Sequence, residues 1–252
     1  MAETKKEQGM ILSQEQIASE VYSMWIKTSI AVDARPGQFI SVYTKTDSRL
    51  LPRPISICEM REDALRIVYR KAGKGTEEFA GYQKGDRISI LGPLGNGFPL
   101  KEAPSLLVGG GIGIPPMLAL AKQLSCEKEI IVGYRDELFL QEELAEYGRV
   151  TVATEDGSAG IKGNVIDAIK KKGLSAKVLY ACGPTPMLRG LKQYAAENGM
   201  EAWLSLEERM ACGVGACLGC VCRSKEQDSH SLVHNKRICK DGPVFLAEEV
   251  EL

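Results

Sequence analysis

The chain has 252 residues, 44% hydrophobic and 26% charged, the balance of an ordinary globular protein long enough for one or two domains. Thirty-two Lys and Arg nearly cancel thirty-three Asp and Glu, and the formal charge of -1 leaves no basic field to attract nucleic acid. The longest apolar stretch, Leu106 to Ala121, is cut by Gly109, Gly110, Gly111, Gly113, Pro115 and Pro116, so no membrane span is expected.

Met1 to Gly9 is polar and lacks an apolar h-region, so export is not expected and a cytoplasmic location is. From about Met10 to Pro99 the chain reads as β-rich. Short apolar or alternating runs fall at Val21–Ile26, Gln38–Tyr43, Leu65–Tyr69 and Arg87–Leu91. Turn residues separate them: Arg35-Pro36-Gly37, Thr46-Asp47-Ser48 and Lys84-Gly85-Asp86. That spacing predicts a small antiparallel barrel over residues 1–101. Within it, Arg53-Pro54-Ile55-Ser56 opens a strand. An arginine fork can neutralise a pyrophosphate, and a serine hydroxyl can donate or accept a hydrogen bond. Tyr69-Arg70 precedes Gly73-x-Gly75-Thr76, where a helix over Glu77–Gly81 is expected; a Gly-Thr there is an anion site or simply an N-cap.

From about 102 to 206 the rhythm changes to strands alternating with helices. Strands are expected at Ser105–Val108, Glu129–Tyr134, Val150–Thr154, Lys177–Ala181 and Ala202–Leu206. Helices are expected at Pro116–Gln123, Leu138–Tyr147, Val165–Lys172 and Met187–Asn198. This is the pattern of a doubly wound, mostly parallel sheet, which binds ligands at the carboxyl ends of its strands. Gly109-Gly110-Gly111-Ile112-Gly113-Ile114-Pro115-Pro116 lies between a strand and a helix, the context of a dinucleotide loop, although Pro116 replaces the last glycine of the Rossmann fingerprint. Cys182-Gly183-Pro184 ends a later strand. Asp156, after Val150–Thr154, is a candidate for an adenosine ribose, with a plain turn as the alternative.

Residues 207–252 are rich in Cys and Gly and too poor in periodicity to build much of a core alone, so something else must hold them together, and a metal cluster could do that. Of eight cysteines, Cys212, Cys217, Cys220, Cys222 and Cys239 fall here. The order Cys212-x4-Cys217-x2-Cys220, then a distant Cys239, is the plant-type [2Fe–2S] spacing. Gly213, Gly215, Ala216 and Gly219 let backbone amides approach the sulfur atoms. Structural zinc on Cys217 and Cys220 is the competing reading, and a glycine-rich x4 loop is unusual for it. Cys222 competes as fourth ligand, Cys58 and Cys126 read as packing residues, and His230 and His234 lack the Cys-x-His pairing of a Rieske site.

Taken together, Arg53–Ser56, Gly92–Phe98, Gly109–Pro116, Cys182–Pro184, Met210–Cys217 and Cys239–Phe245 resemble the ferredoxin reductase superfamily. Over nearly the whole chain they resemble the electron-transfer subunits of class 1B dihydroorotate dehydrogenases. The resemblance implies FAD held by Arg53, Pro54, Ile55, Ser56, Val68, Tyr69, Arg70, Gly75 and Thr76. It implies NAD at Gly109, Gly110, Gly111, Gly113, Asp156, Cys182, Gly183 and Pro184, and a [2Fe–2S] cluster on Cys212, Cys217, Cys220 and Cys239. It further implies an FMN-containing catalytic subunit as partner, in a heterotetramer of two of each, oxidising dihydroorotate to orotate with NAD as final acceptor. No general acid or base is then required of this chain. Asp136 and Glu137 beside Arg135 oppose a 2′-phosphate and agree with NAD. Met210, Val214 and Leu218 flank the ligands and either face the partner or pack locally within the segment. Two alternatives stay open: a reductase subunit of a ferredoxin–NADP or sulfide dehydrogenase-like complex, and a non-catalytic iron–sulfur sensor without FAD.

Overall fold

A computed structural model describes residues 3–46, 50–227 and 232–252. Asp47 and Ser48 of one expected turn, and His230, lie outside the described residues. The first six strands are β1 (Lys5–Ala18), β2 (Val21–Lys27), β3 (Phe39–Val42), β4 (Arg53–Arg61), β5 (Ala64–Arg70) and β6 (Arg87–Leu94). They close antiparallel into a barrel in the order β1-β2-β5-β4-β3-β6. Period-2 alternation fills it: Met24 and Ile26, Ile40 and Val42, Leu65, Ile67 and Tyr69, and Ile88 and Ile90 all point inward. Strand β1 escaped sequence reading because its outward positions are polar and few inward positions are apolar. Helix α1 (Lys74–Ala80) lies between β5 and β6.

The second layer system is a seven-stranded sheet. Its strands are β7 (Ser105–Gly110), β8 (Lys128–Tyr134), β9 (Arg149–Thr154), β10 (Ile161–Lys162), β11 (Val178–Cys182), β12 (Glu201–Ser205) and β15 (Val244–Leu246). Their spatial order is β10-β9-β8-β7-β11-β12-β15. Six run parallel, and β15 joins antiparallel to β12. Each central strand is apolar on both faces, as burial beneath helices demands. Leu106, Val108, Leu179 and Ala181 face the side of α4 (Val165–Lys172) and α5 (Thr185–Glu197). Leu107, Val178 and Tyr180 face α2 (Ile114–Gln123). The expected helix over Leu138–Tyr147 shrinks to α3 (Gln141–Ala145), because Leu140 adopts a left-handed φ of 62° and Phe139 gives its carbonyl to the Tyr134 hydroxyl at 2.6 Å.

The last segment does not stand apart. A small hairpin, β13 (Val221–Arg223) with β14 (Asn235–Arg237), precedes β15. Cys220, Ile238, Cys239, Phe245, Ala247 and Val250 enter the same core as Phe39 and Leu94 of the barrel and Leu204 of the sheet. The segment cannot build a core alone, and an edge strand on β12 together with a core shared with the barrel and the sheet supplies the support it needs. Among the described residues no helix is long and apolar enough to cross a membrane.

Candidate redox-cofactor sites

The flavin motif lies on β4. Its register against β3 is Phe39↔Ser56, Ile40↔Ile55, Ser41↔Pro54 and Val42↔Arg53. Arg53 donates to the Leu51 carbonyl, and its guanidinium lies over Gly75. A methyl group on Gly75 would stand 2.3 Å from Arg53 Nε and 2.6 Å from Cζ, so only glycine leaves room for the arginine. Two motifs distant in sequence thus form one cationic cradle of the kind a pyrophosphate fits. The helix beside it begins at Lys74 rather than Glu77, which places Gly75 and Thr76 in its first turn. Thr76 Oγ1 accepts from the Ala72 and Gly73 amides at 3.0 and 3.2 Å, tying down the loop that enters the helix.

Val68 and Tyr69 are placed differently from a side-chain contact. Tyr69 is 1% exposed inside the barrel and donates to Gln14 Oε1 at 2.9 Å; Val68 packs toward α2. Burial pushes the Tyr69 hydroxyl well above its ordinary range. Any cofactor contact at these two positions falls to their backbone, while Arg70 is exposed.

The glycine-rich loop leaves β7 and passes through a 3-10 turn, Gly111–Gly113, into α2. From β7 the chain steps out to β8, β9 and β10, then returns to β11 on the other side, so the β7/β11 junction is the topological switch point where such sheets bind ligands. In register there, Cys182 sits between Gly109 and Ser205. A methyl group on Gly113 would stand 2.3 Å from the Cys182 carbonyl oxygen, and one on Gly183 would stand 3.2 Å from Gly110 Cα. The two nicotinamide motifs therefore pack into one floor. Gly111, at φ 53°, has open space where a side chain would project. Burial pushes the Cys182 thiol up to about 12 against a hydrogen bond with Ser205, so it stays neutral. Asp156 is not brought to this junction. It ends β9, two strands from β7, where the Ser158 amide at 3.0 Å and hydroxyl at 2.7 Å hold its carboxylate below its ordinary range.

The four cysteines converge in two pairs. The Cys217 amide donates to the Cys212 sulfur, and the Cys239 amide to the Cys220 sulfur, each at 3.4 Å. The Gly215 amide donates to a third sulfur, that of Cys239, at 3.1 Å. Burial raises the Cys212 thiol, but the Val214, Cys217 and Ala216 amides outweigh it and bring it to about 6. Burial and the neighbouring Cys220 push Cys239 up to about 12. Among the described residues no three His, Cys, Asp or Glu converge to hold a single metal ion. Two thiol pairs ringed by amide donors fit a [2Fe–2S] group, whose two irons each take two thiolates. Cys222 stands outside both pairs, on β13 opposite Lys236, its thiol raised by burial. His234 Nδ1 meets the Lys225 carbonyl at 3.1 Å instead of any sulfur.

One contact joins the flavin and cysteine sites. A methyl group on Gly213 would stand 2.9 Å from Ser41 Oγ, and Ser41 is the register partner of Pro54. The cysteine loop thus leans on the strand beside the flavin motif. Ser41 drew no attention in the sequence; its only signal is a hydroxyl on a strand buried along its whole length. Met210 is partly buried against the core, the local-packing alternative, whereas Val214 and Leu218 are 46% and 61% exposed.

Residues 207–251 match the model of the iron-sulfur cluster binding domain of dihydroorotate dehydrogenase B. The electron transfer subunit of dihydroorotate dehydrogenase B (NAD(+)) from Geobacillus thermodenitrificans is 42% identical, covering 98% of this chain and 99% of the relative. The corresponding subunit from Bacillus caldolyticus is 44% identical at the same coverage, and that from Fusobacterium nucleatum is 44% identical over 94% of this chain and 95% of its own. Among solved structures, the NADH-dependent reduced ferredoxin-NADP oxidoreductase described for flavin-based electron bifurcation superposes with a TM-score of 0.87. It is 30% identical and covers 96% of this chain and 89% of that chain. A ferredoxin NADP+ reductase from Neisseria gonorrhoeae shares the fold at TM-score 0.65 and 18% identity, over 77% of this chain and 92% of that one.

Proposed function

The chain belongs to the family of dihydroorotate dehydrogenase B electron transfer subunits, and on that premise we propose which of its residues hold each redox group and how the sites connect. It is the electron-transfer subunit of an NAD-dependent dihydroorotate dehydrogenase and uses FAD, NAD and a [2Fe–2S] cluster. Residues 1–101, 102–206 and 207–252 are the flavin, nicotinamide and cluster units. When bound, the flavin supplies the exchange between two-electron hydride chemistry and single-electron transfer.

Arg53, over Gly75, holds the FAD pyrophosphate, with Thr76 fixing the helix entry beside it. Pro54, Ile55 and Ser56 line the adjoining strand, and the Val68–Arg70 backbone borders it. Gly109–Gly113 and Cys182–Pro184 form the floor for nicotinamide at the switch point, where the neutral Cys182 thiol excludes water without adding charge. Asp156 serves the outer, ribose end of the same crevice, three strands out from Cys182. Cys212, Cys217, Cys220 and Cys239 hold the cluster, and the amides around them offset its negative charge. The observation carrying this reading is the Gly213–Ser41–Pro54 contact, which sets the cluster loop one strand from the flavin motif.

A catalytic subunit is the outlet for the electrons. We assign it an FMN and a complex of two copies of each chain. Val214 and Leu218, apolar, exposed and flanking Cys212, Cys217 and Cys220, form the rim it covers. Co-purification of the two chains with cofactor analysis tests this. The expected result is one FAD and two irons per copy of this chain, flavin on the partner, and dihydroorotate-dependent NAD reduction. A fully loaded complex without that activity would favour the ferredoxin–NADP type of reductase.

A further inference from the structure

Arg237 lies two residues before Cys239 and reaches both limbs of the cysteine site. Its guanidinium forks onto Asp241, Nε to Oδ2 at 2.9 Å and Nη2 to Oδ1 at 3.0 Å, and its amide donates to Oδ2 at 2.8 Å. Its carbonyl accepts from the Lys240 and Asp241 amides at 3.1 and 2.7 Å. The limb carrying Cys239 is thereby closed into a tight turn. The third arm of the guanidinium, Nη1, donates to the Gly215 carbonyl at 3.3 Å.

The Gly215 carbonyl that meets Arg237 lies on the loop between two amide donors. The amide of Cys217, two residues on, donates to the Cys212 sulfur at 3.4 Å. A guanidinium on the carbonyl makes a charge-assisted hydrogen bond that fixes this loop against the sulfurs. The preceding amide, that of Gly215, makes the shortest amide-to-sulfur contact of the site, 3.1 Å to Cys239. Gly215 holds φ 83° with the Lys240 side chain packed where its own would be, so the loop cannot drift from that limb without opening both contacts.

We propose that Arg237 is a positioning residue that sets the reduction potential of the cluster, by fixing the Gly215 carbonyl, and with it the loop whose Gly215 and Cys217 amides donate to Cys239 and Cys212, while its fork to Asp241 holds the Cys239 limb. The inference rests on the ligand assignment above. Reduction adds negative charge to the cluster, so amide donors held on the sulfurs and a nearby guanidinium favour the reduced form. Asp241 tempers that effect as counter-charge.

The test is an electron paramagnetic resonance-monitored redox titration of the assembled complex, with iron and sulfide counted in parallel. Arg237→Gln is expected to retain iron while the equilibrium constant for cluster reduction falls about tenfold, ~59 mV in the negative direction for one electron. Arg237→Lys keeps a charge but no fork, and moves the potential less. Asp241→Asn leaves the guanidinium and removes its counter-charge, and moves the potential in the positive direction. The proposal is overturned if loaded Arg237→Gln and Arg237→Lys titrate with wild type, or if Asp241→Asn shifts negatively with Arg237→Gln, as a merely mechanical clamp would. Should Arg237→Gln not take up iron, unmoved potentials in Arg237→Lys and Asp241→Asn overturn it equally. A wild-type complex without a cluster would instead overturn the ligand assignment.

Discussion

Gly75 and Gly113 are the single residues on which the proposed cofactor sites turn, and they predict different failures. The atom crowding a side chain at position 75 is the far end of Arg53, which can swing away. Gly75→Ala is therefore expected to fold normally but purify with substoichiometric FAD, measured by the flavin absorbance per protein; full flavin would refute the cradle. At position 113 the crowding atoms are the Cys182 carbonyl and the Gly183 amide, backbone that cannot yield cheaply. Gly113→Ala should raise the KM for NADH severalfold and leave FAD content intact. Among the cysteines, the pairing separates neighbours that spacing alone does not. Cys239→Ser is expected to abolish the cluster's visible absorption and Cys222→Ser to preserve it; the reverse would move the fourth ligand.

At the scale of elements, the barrel depends on polar clasps that join its strands to its turns. Gln14 on β1 donates to the Phe79, Ala80 and Tyr82 carbonyls at 2.9, 3.1 and 2.8 Å, which fastens the end of α1 to the barrel wall. Glu7, also on β1, accepts from the Thr28 hydroxyl, from the Ser29 amide at 2.9 Å and from the Ser29 hydroxyl at 2.6 Å. Burial opposes ionisation of Glu7, but these donors outweigh it and hold the carboxyl below its ordinary value of 4.5. A depressed folded-state value means stability present above pH 4.5 and lost as pH falls through the folded value. Glu7→Gln is thus expected to melt below wild type at pH 7, and the gap in Tm should close as the pH is lowered toward 3. A gap that stays constant would show that the charge contributes nothing.

For the whole molecule, the barrel and the nucleotide sheet meet at a cluster of charges. Arg66 on β5 donates to Ser23 at 2.9 Å and pairs with Glu143 of α3 at 2.5 and 3.1 Å. Glu59 on β4, 8% exposed in its side chain, pairs with Lys122 of α2 at 2.7 Å and with Arg66 at 3.6 Å. These pairs fix the flavin side of the molecule against the nicotinamide side. Breaking a buried pair leaves an uncompensated charge, so Arg66→Met is expected to cost ~3 kcal/mol. The urea midpoint of FAD-loaded protein reads this directly, and an unchanged midpoint would remove the cluster's role in joining the two layers.

The sequence by itself determined the local chemistry. Period-2 strands predicted the barrel, strand–helix alternation predicted the parallel sheet, and Cys212-x4-Cys217-x2-Cys220 predicted four ligands around small residues, because each signal is written in neighbouring positions. Tertiary structure decided what depends on distant ones. Arg53 meets Gly75, Gly113 meets Cys182 and Gly213 meets Ser41 only once the strands are paired. Strand β15 carries the cysteine segment into the sheet by three residues too few to announce a period. Tyr69, named with the flavin residues, turns into the barrel because the pleat of β5 requires it. Backbone register, which no short stretch of sequence encodes, is what sets the cysteine loop beside the strand of the Arg53–Ser56 motif.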